Sequence, residues 1–315
     1  MNKRIGSVLG LLAVVFVGFH TGTALALDAK KTDAGSLATK EFFKPELRLS
    51  SSNVALEETP TTLSNRGAWS TFSARYGQTQ VYIDPRSGAA ASVVTRVPMI
   101  PGRGEGNVLA MGDLSNALGR KVTRIEPQVV ADLMRKFVTD NAVAIGVDAA
   151  QLGTALAVQV SDTLWNVRIP QVVNGVTVRY GHLVAVINNG NLVLLGTESW
   201  GRAVVDTRPQ INDDEAMNLG FAYAGGRGAT DSLWAKPALE IVPVAPQEFQ
   251  SGEAFAGPIG SGYRHRLVWS FGFQRSGDSA TLPSTKVIRG SRPWASARDR
   301  ARTMGVVIHG IVASA

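Results

Sequence analysis

Asn174-Gly175 stands between two runs of alternating residues, Leu164-Trp165-Asn166-Val167-Arg168-Ile169 and Val176-Thr177-Val178-Arg179-Tyr180. Both turn residues tolerate positive φ, so the pair favours a type I′ turn whose twist matches that of a β-hairpin. Leu183 to Ile187 reads as the next strand, Asn188-Asn189-Gly190-Asn191 as a second turn, and Leu192 to Leu195 as the returning strand. The segment is therefore expected to form an antiparallel meander of about four strands.

Helical signals flank this meander. Before it, Pro127 fits a first helical turn, and Val130, Leu133, Met134 and Phe137 recur at three- and four-residue steps before Asn141 and Gly146. After it, Asn212 can cap a helix that opens with Asp213-Asp214-Glu215, with Ala216, Leu219 and Ala222 on one face and Gly225-Gly226 at its end. Strands are expected at 239–244 and 265–273, separated by a Gly/Ser/Pro-rich loop at 251–262. Upstream, Gln80 to Ile83 and Ala91 to Val97 read as strands joined by the turn Asp84-Pro85-Arg86-Ser87-Gly88. Pro101-Gly102-Arg103-Gly104-Glu105-Gly106 has neither dinucleotide spacing nor a following Gly-Lys-Ser/Thr, and reads as a flexible loop rather than a phosphate cradle. The fold class is α+β: two helix-plus-antiparallel-sheet units, with an irregular amino-terminal arm over 27–68 and a carboxy-terminal tail. The expected boundaries are an amino-terminal arm and small β unit over 27–120, units over 121–207 and 208–281, and a tail over 282–315.

The ends differ from the body. Lys3 and Arg4, an apolar run from Ile5 to Phe19, and Ala24-Leu25-Ala26 have the pattern of a signal peptide cleaved after Ala26, with Ala24 and Ala26 as the small residues at −3 and −1. The apolar run is short for a membrane span, so no stable membrane anchor is expected, and the chain is read as secreted or periplasmic. The net charge of +7 comes from the ends: Lys3 and Arg4 at one, and Lys286, Arg289, Arg292, Arg298, Arg300 and Arg302 against Asp299 at the other. The near-neutral body lacks the basic stripe of a nucleic-acid-binding face. The chain has no cysteine, which excludes disulfides, thiolate metal sites and cysteine nucleophiles.

The run Val167-Arg168-Ile169-Pro170-Gln171-Val172-Val173-Asn174-Gly175-Val176-Thr177-Val178 resembles the FTP motif of fungalysin and thermolysin propeptides. Gly181, Leu183-Val184 and the Asn189-Gly190 turn continue its register, with Pro170 where the motif has Gln and Thr177 where it has Pro. Residues 212–225 resemble the opening helix of a PepSY domain. Leu239 to Pro243 and Tyr263 to Trp269 are similar to the strands that follow that helix in such propeptides. The resemblance covers about residues 120–281. It makes 121–207 FTP-like and 208–281 PepSY-like. It also implies a propeptide that assists the folding of a zinc protease domain and masks its cleft, with a thermolysin- or fungalysin-type metalloprotease as partner. Arg168, Gln171, Asn174, Gly175, Tyr180 and Trp269 are the motif or partner-contact residues it marks.

The chemistry of a protease is not encoded in the chain. His20, His182, His265 and His309 lack the His-Glu-x-x-His spacing that sets two imidazoles one helical turn apart, and the three histidines after His20 are expected on solvated strands or loops. No Gly-x-Ser-x-Gly elbow occurs. Asp213, Asp214 and Glu215 are explained as acids at a helix start. Arg168 and Gln171 have opposite parity on a regular strand, so both face the core only across a bulge. No catalytic residue, cofactor or metal site is therefore assigned. Two functional readings remain: an exported non-catalytic propeptide-like protein that binds, chaperones or inhibits a zinc metalloprotease, or the amino-terminal fragment of a truncated or frameshifted precursor of such an enzyme. In the propeptide family a strand with an apolar-Asp-Ala-x-x-Gly turn follows near 281. Here the tail continues from Leu282 without clear period, read either as out-of-frame sequence, poorly ordered except over Val306 to Val312, that leaves a sheet edge open, or as a native basic arm.

Overall fold

A computed structural model describes residues 52–223, 226–251, 254–274 and 306–311. The expected signal peptide with Ala24 and Ala26, the arm up to residue 51, and most of the tail lie outside the described residues. In chain order the structure runs β1 (Val54–Ala55), α1 (Arg66–Tyr76), β2 (Gln80–Ile83), β3 (Ala90–Pro98), α2 (Met111–Leu118), α3 (Pro127–Asp140) and α4 (Ala142–Ile145). It continues with β4 (Leu156–Gln159), β5 (Leu164–Val173), β6 (Val176–Asn188), β7 (Asn191–Glu198) and α5 (Asp213–Tyr223). It ends with β8 (Ser232–Val244), β9 (Gln250–Ser251), β10 (Ala254–Phe255), β11 (Arg264–Gln274) and β12 (Val306–Ile311). The fold is α+β.

Both turns form where their residues dictate, but Val176 to Tyr180 and Leu183 to Ile187, expected as two strands, belong to the single strand β6, and the fourth strand of the meander is β4, which the sequence reading did not give. Asn174 and Gly175 have φ of 48° and 84°, and Asn189 and Gly190 have φ of 49° and 90°. β4 through β7 pair antiparallel, and β3, β2 and β1 extend the sheet beyond β7. The ladder between β5 and β6 slips between Pro170 and Val172, where proline has no N–H to give. β6 then turns at Tyr180, whose φ is 63°. Its second half pairs with β7, and its first half meets β8 through one parallel bridge, Val178 to Ile241. β8 pairs with β11, and β11 with β12, so ten strands form one connected sheet. β12 corrects the expectation of an open edge: Val306 to Ile311 lies antiparallel to Phe273 to Val268.

Helices cover one face of the β1–β7 half. Pro127 opens α3, whose Val130, Leu133, Met134 and Phe137 are all buried. Trp69 and Phe72 of α1 are buried too, and the rings of Phe72, Tyr76 and Phe137 meet tilted or edge-to-face with centroids 4.7–6.1 Å apart. Such pairs add about 0.5–1.5 kcal/mol each beyond their area. This face also corrects the irregular reading of the stretch up to residue 68. There Arg66 donates to the carbonyls of Leu56 and Thr59 and fastens the start of α1 to the segment before it. α5 opens as expected, with Asn212 Oδ1 accepting the Glu215 N–H at 2.8 Å. Its buried face differs from the expected one. Ala216 and Phe221 are buried and Leu219 is 53% exposed, because Phe221 packs on Phe271 and Phe273 of β11 at 5.7 and 4.8 Å.

Two loops expected as connectors are fixed in place. The glycine loop is held against the β6–β7 turn, with Met99 N and Ile100 N bonding Gly190 O and Gly104 N bonding Asn189 O at 2.7 Å. The β2–β3 turn reaches to the segment before β11: Gly260 N bonds Pro85 O at 2.9 Å and Gly262 N bonds Arg86 O at 2.8 Å. Arg86 is fully buried there, its guanidinium 5.5 Å from the Phe255 ring centre, and Tyr263 Oη bonds Asp84 Oδ2 at 3.3 Å.

Two glycine replacements should lose stability for different reasons. Gly175 faces open space, so Gly175→Val should cost roughly 1–3 kcal/mol through its positive φ alone. A Cβ at Gly102 would overlap the Asn189 carbonyl, so Gly102→Ala should cost about 1–3 kcal/mol by overpacking. Urea unfolding of both variants checks this; a native midpoint for Gly102→Ala would show that the loop is not held against the turn.

Candidate functional site

The helices leave the opposite face of the meander uncovered. Register fixes what stands on it. Val158, Asn166, Val186, Leu194 and Val94 lie directly opposite one another across β4, β5, β6, β7 and β3, and Gln80 of β2 ends the row. Val158 and Val94 are 60% and 46% exposed. A second row runs Leu156, Arg168, Val184 and Gly196. A solvated sheet face normally alternates to polar side chains. Here apolar side chains stand on it from β3, β4, β6 and β7, interrupted on β5 by Asn166 and Arg168.

The third row, Pro170, His182 and Glu198, gives the strip a charged border. His182 is buried rather than solvated as expected. Its Nε2 lies 2.8 Å from Glu198 Oε2, and its Nδ1 lies 2.9 Å from the Tyr180 carbonyl oxygen and 3.2 Å from Arg168 Nη2. The hydrogen bond from His182 holds the Glu198 carboxyl below the usual carboxylate range, with the His182 and Arg168 charges adding to it and partial burial opposing it. The recorded partners of the imidazole are a carboxylate, a guanidinium and a carbonyl. The ring is oriented, with no hydroxyl among those partners to activate.

The marked residues separate. Arg168 and the Tyr180 carbonyl belong to this border. Gln171 faces the other way, fully buried, with Nε2 donating to Gln151 Oε1 and Gly201 O, both at 2.7 Å. Its Oε1 is buried without a partner and faces Gly181, where a Cβ would collide with it. Asn174 and Gly175 form the hairpin tip, and Asn174 Nδ2 reaches Thr207 Oγ1 at 3.3 Å. Trp269 lies on β11, with Nε1 bonded to Ile211 O at 2.9 Å, away from the border. Among the described residues no group of three His, Asp or Glu side chains is placed to hold a metal ion, and no helix is long and apolar enough to cross a membrane.

Sequence reading did not find the His182–Glu198 pair. Counting outward from Asn188 and Asn191 sets Thr197 opposite His182. An irregularity between Val186 and Ile187 shifts the register by one and brings Glu198 there instead. His265 also departs from the solvated reading. Its ring packs over Gly201, and its Nε2 is buried without a partner. Beside it, burial and the Asp84 charge raise the Tyr263 hydroxyl well above its ordinary value. No protein-family model matches the chain, and no curated protein matches it in sequence.

Acid should loosen this region in a defined window. Burial lowers the His265 pKa to about 4. An unfolded imidazole titrates near 6.5, so the folded state binds the proton less readily. The contribution of a neutral His265 is fully present above about pH 6.5 and is lost as pH falls toward about 4, by no more than about 3 kcal/mol. Glu198, with its pKa depressed when folded, adds a loss at lower pH, as the carboxylate protonates. Urea midpoints measured from pH 7.5 to 4 should fall, and His265→Gln should flatten the upper part of that slope; an identical slope in the variant would remove His265 as its cause.

Proposed function

We propose that this chain is an exported, non-catalytic, propeptide-like binding protein whose partner is a thermolysin- or fungalysin-type zinc metalloprotease. The observation that carries the reading is the uncovered face of the meander. It is an apolar strip through Val94, Leu194, Val186 and Val158, bordered by Arg168, His182 and Glu198 and borne on a sheet braced from behind by α1, α3 and α4. An exposed apolar strip on a rigid support is a protein-docking surface by its physics. The class of partner comes from the FTP-like run over 167–178, whose Asn174-Gly175 tip has the positive-φ geometry of the hairpin. Docking there would cover the strip and block substrate by occupancy.

The test is inhibition of thermolysin acting on a fluorogenic peptide by the purified chain spanning residues 27–315. The chain itself should not hydrolyse casein, with or without added zinc. Thermolysin should be inhibited, and Leu194→Lys should weaken inhibition by about tenfold, near 1.4 kcal/mol, while leaving the melting temperature within a few degrees. Inhibition that is equal in wild type and Leu194→Lys would place the contact elsewhere. No binding to thermolysin or to a fungalysin-type protease would end the protease reading, and hydrolysis that survives purification would end the non-catalytic one.

A further inference from the structure

β4 is the outermost strand of the meander and, among the described residues, pairs only with β5. Its register with β5 runs from Leu156–Arg168 to Gln159–Trp165 without a slip, and Val160 N continues it by bonding Leu164 O at 2.8 Å. Ladder bonds alternate along an antiparallel strand, so Val160, Val158 and Leu156 turn their backbone groups toward β5. Ala157 and Gln159 therefore turn theirs outward. Natural sheets guard such an edge with lysine, proline, a bulge or a covering element. β4 has none of the first three: from Ala149 to Ser161 the chain carries no charge and no proline. Leu156, Val158 and Val160 all stand on the open face and are 63%, 60% and 55% exposed. A cleft opens at each end of the strand. One, of about 320 Å³, is lined by Arg135, Asp132 and Leu152 to Ala155; the other, of about 370 Å³, by Gln159, Asp162 and Arg103.

We propose that this edge pairs with the same edge of a second copy of the chain, antiparallel, about a two-fold axis through Val158. Symmetry and alternation then agree. Ala157 faces Gln159 of the partner subunit, and the reverse, so both outward pairs exchange main-chain hydrogen bonds. Val158 meets Val158 of the partner subunit, and Leu156 meets Val160 of the partner subunit, so apolar side chains oppose apolar ones. A second copy suits the edge because an uncharged strand meets its own image without like-charge repulsion. The two apolar strips then join end to end through Val158. This inference rests on the edge alone and does not need the protease reading.

Sedimentation equilibrium of the chain spanning residues 27–315 tests it without any variant: a dimer should form by about 100 µM, and Val158→Lys, which puts two like charges on the axis, should raise the dissociation constant at least about tenfold with an unchanged melting temperature. The absence of cysteine permits a second test. Residues facing each other in a non-hydrogen-bonded antiparallel pair have Cα atoms about 4.5 Å apart, within the range a disulfide spans. Val158→Cys should therefore cross-link to a dimer under mild oxidation far faster than Val94→Cys, which is exposed on the same face but off the axis. A native chain that remains monomeric, as it would if its own residues 27–51 or another partner covered the edge, overturns the proposal. So does equal cross-linking of the two cysteine variants.

Discussion

The bend of β6 at Tyr180 and Gly181 is the constraint on which the rest of the architecture depends. Before it, Val176 to Val178 faces β5 on one side and β8 on the other; after it, His182 to Asn188 is shared by β5 and β7. A straight strand could not serve both neighbours. Tyr180 takes a left-handed φ to make the bend, and Gly181 allows Gln171 to pack where a Cβ would stand. The bend is stitched from the β8 side, where the Arg179 guanidinium binds Glu240 and also reaches Ser270 of β11. The same turn of the backbone carries the Tyr180 carbonyl to His182 and so shapes the border of the open face. One local distortion thus sets the junction of the two sheet halves and the polar border of the open face.

Legibility in the sequence followed the range of the interactions. The Asn174-Gly175 turn, the proline-led start of α3 and the Asn212 cap rest on residues within four positions of one another, and each is visible in the sequence. α1 is not, because its decisive partners lie outside its own span: Phe72 needs Phe137, and the start of α1 needs Leu56 and Thr59. The glycines at 102 and 104 read as freedom in isolation. In the fold they give close approach to the β6–β7 turn, which only tertiary contact reveals. For the site, the opposite parity of Arg168 and Gln171 correctly separates them to two faces. The His182–Glu198 pair depends on a one-residue irregularity in a ladder, and the helix face around Phe221 depends on aromatic rings fifty residues onward. No periodicity within a single element encodes either.

The open face and the bare edge of β4 have one physical origin. The helices α1, α3 and α4 all pack on the same side of the meander, so nothing in the described residues shields the other side. Val158 belongs both to the strip and to the edge strand. A partner on the face and a partner on the edge would therefore touch neighbouring atoms, and occupation of one would alter the solvent exposure of the other. The Arg168, His182 and Glu198 border sits at the far end of the rows and gives the face polarity along the strands, so that a docked surface has a preferred direction.

The buried Arg86 has a consequence for how the chain acquires its fold. Its enclosure is completed by Phe255 and by the backbone at Gly262, and its neighbour Asp84 is met by Tyr263, 179 positions further along. A guanidinium placed in that position before the later segment arrives would face water or unpaired backbone, so the β2–β3 turn gains its final environment only when nearly the whole body is present. Such closure of distant segments is slow relative to helix or hairpin formation. A chain still emerging from synthesis would hold its amino-terminal turn in an unfinished, protease-accessible form, and the last contacts to form would be those that lock the first strands in place.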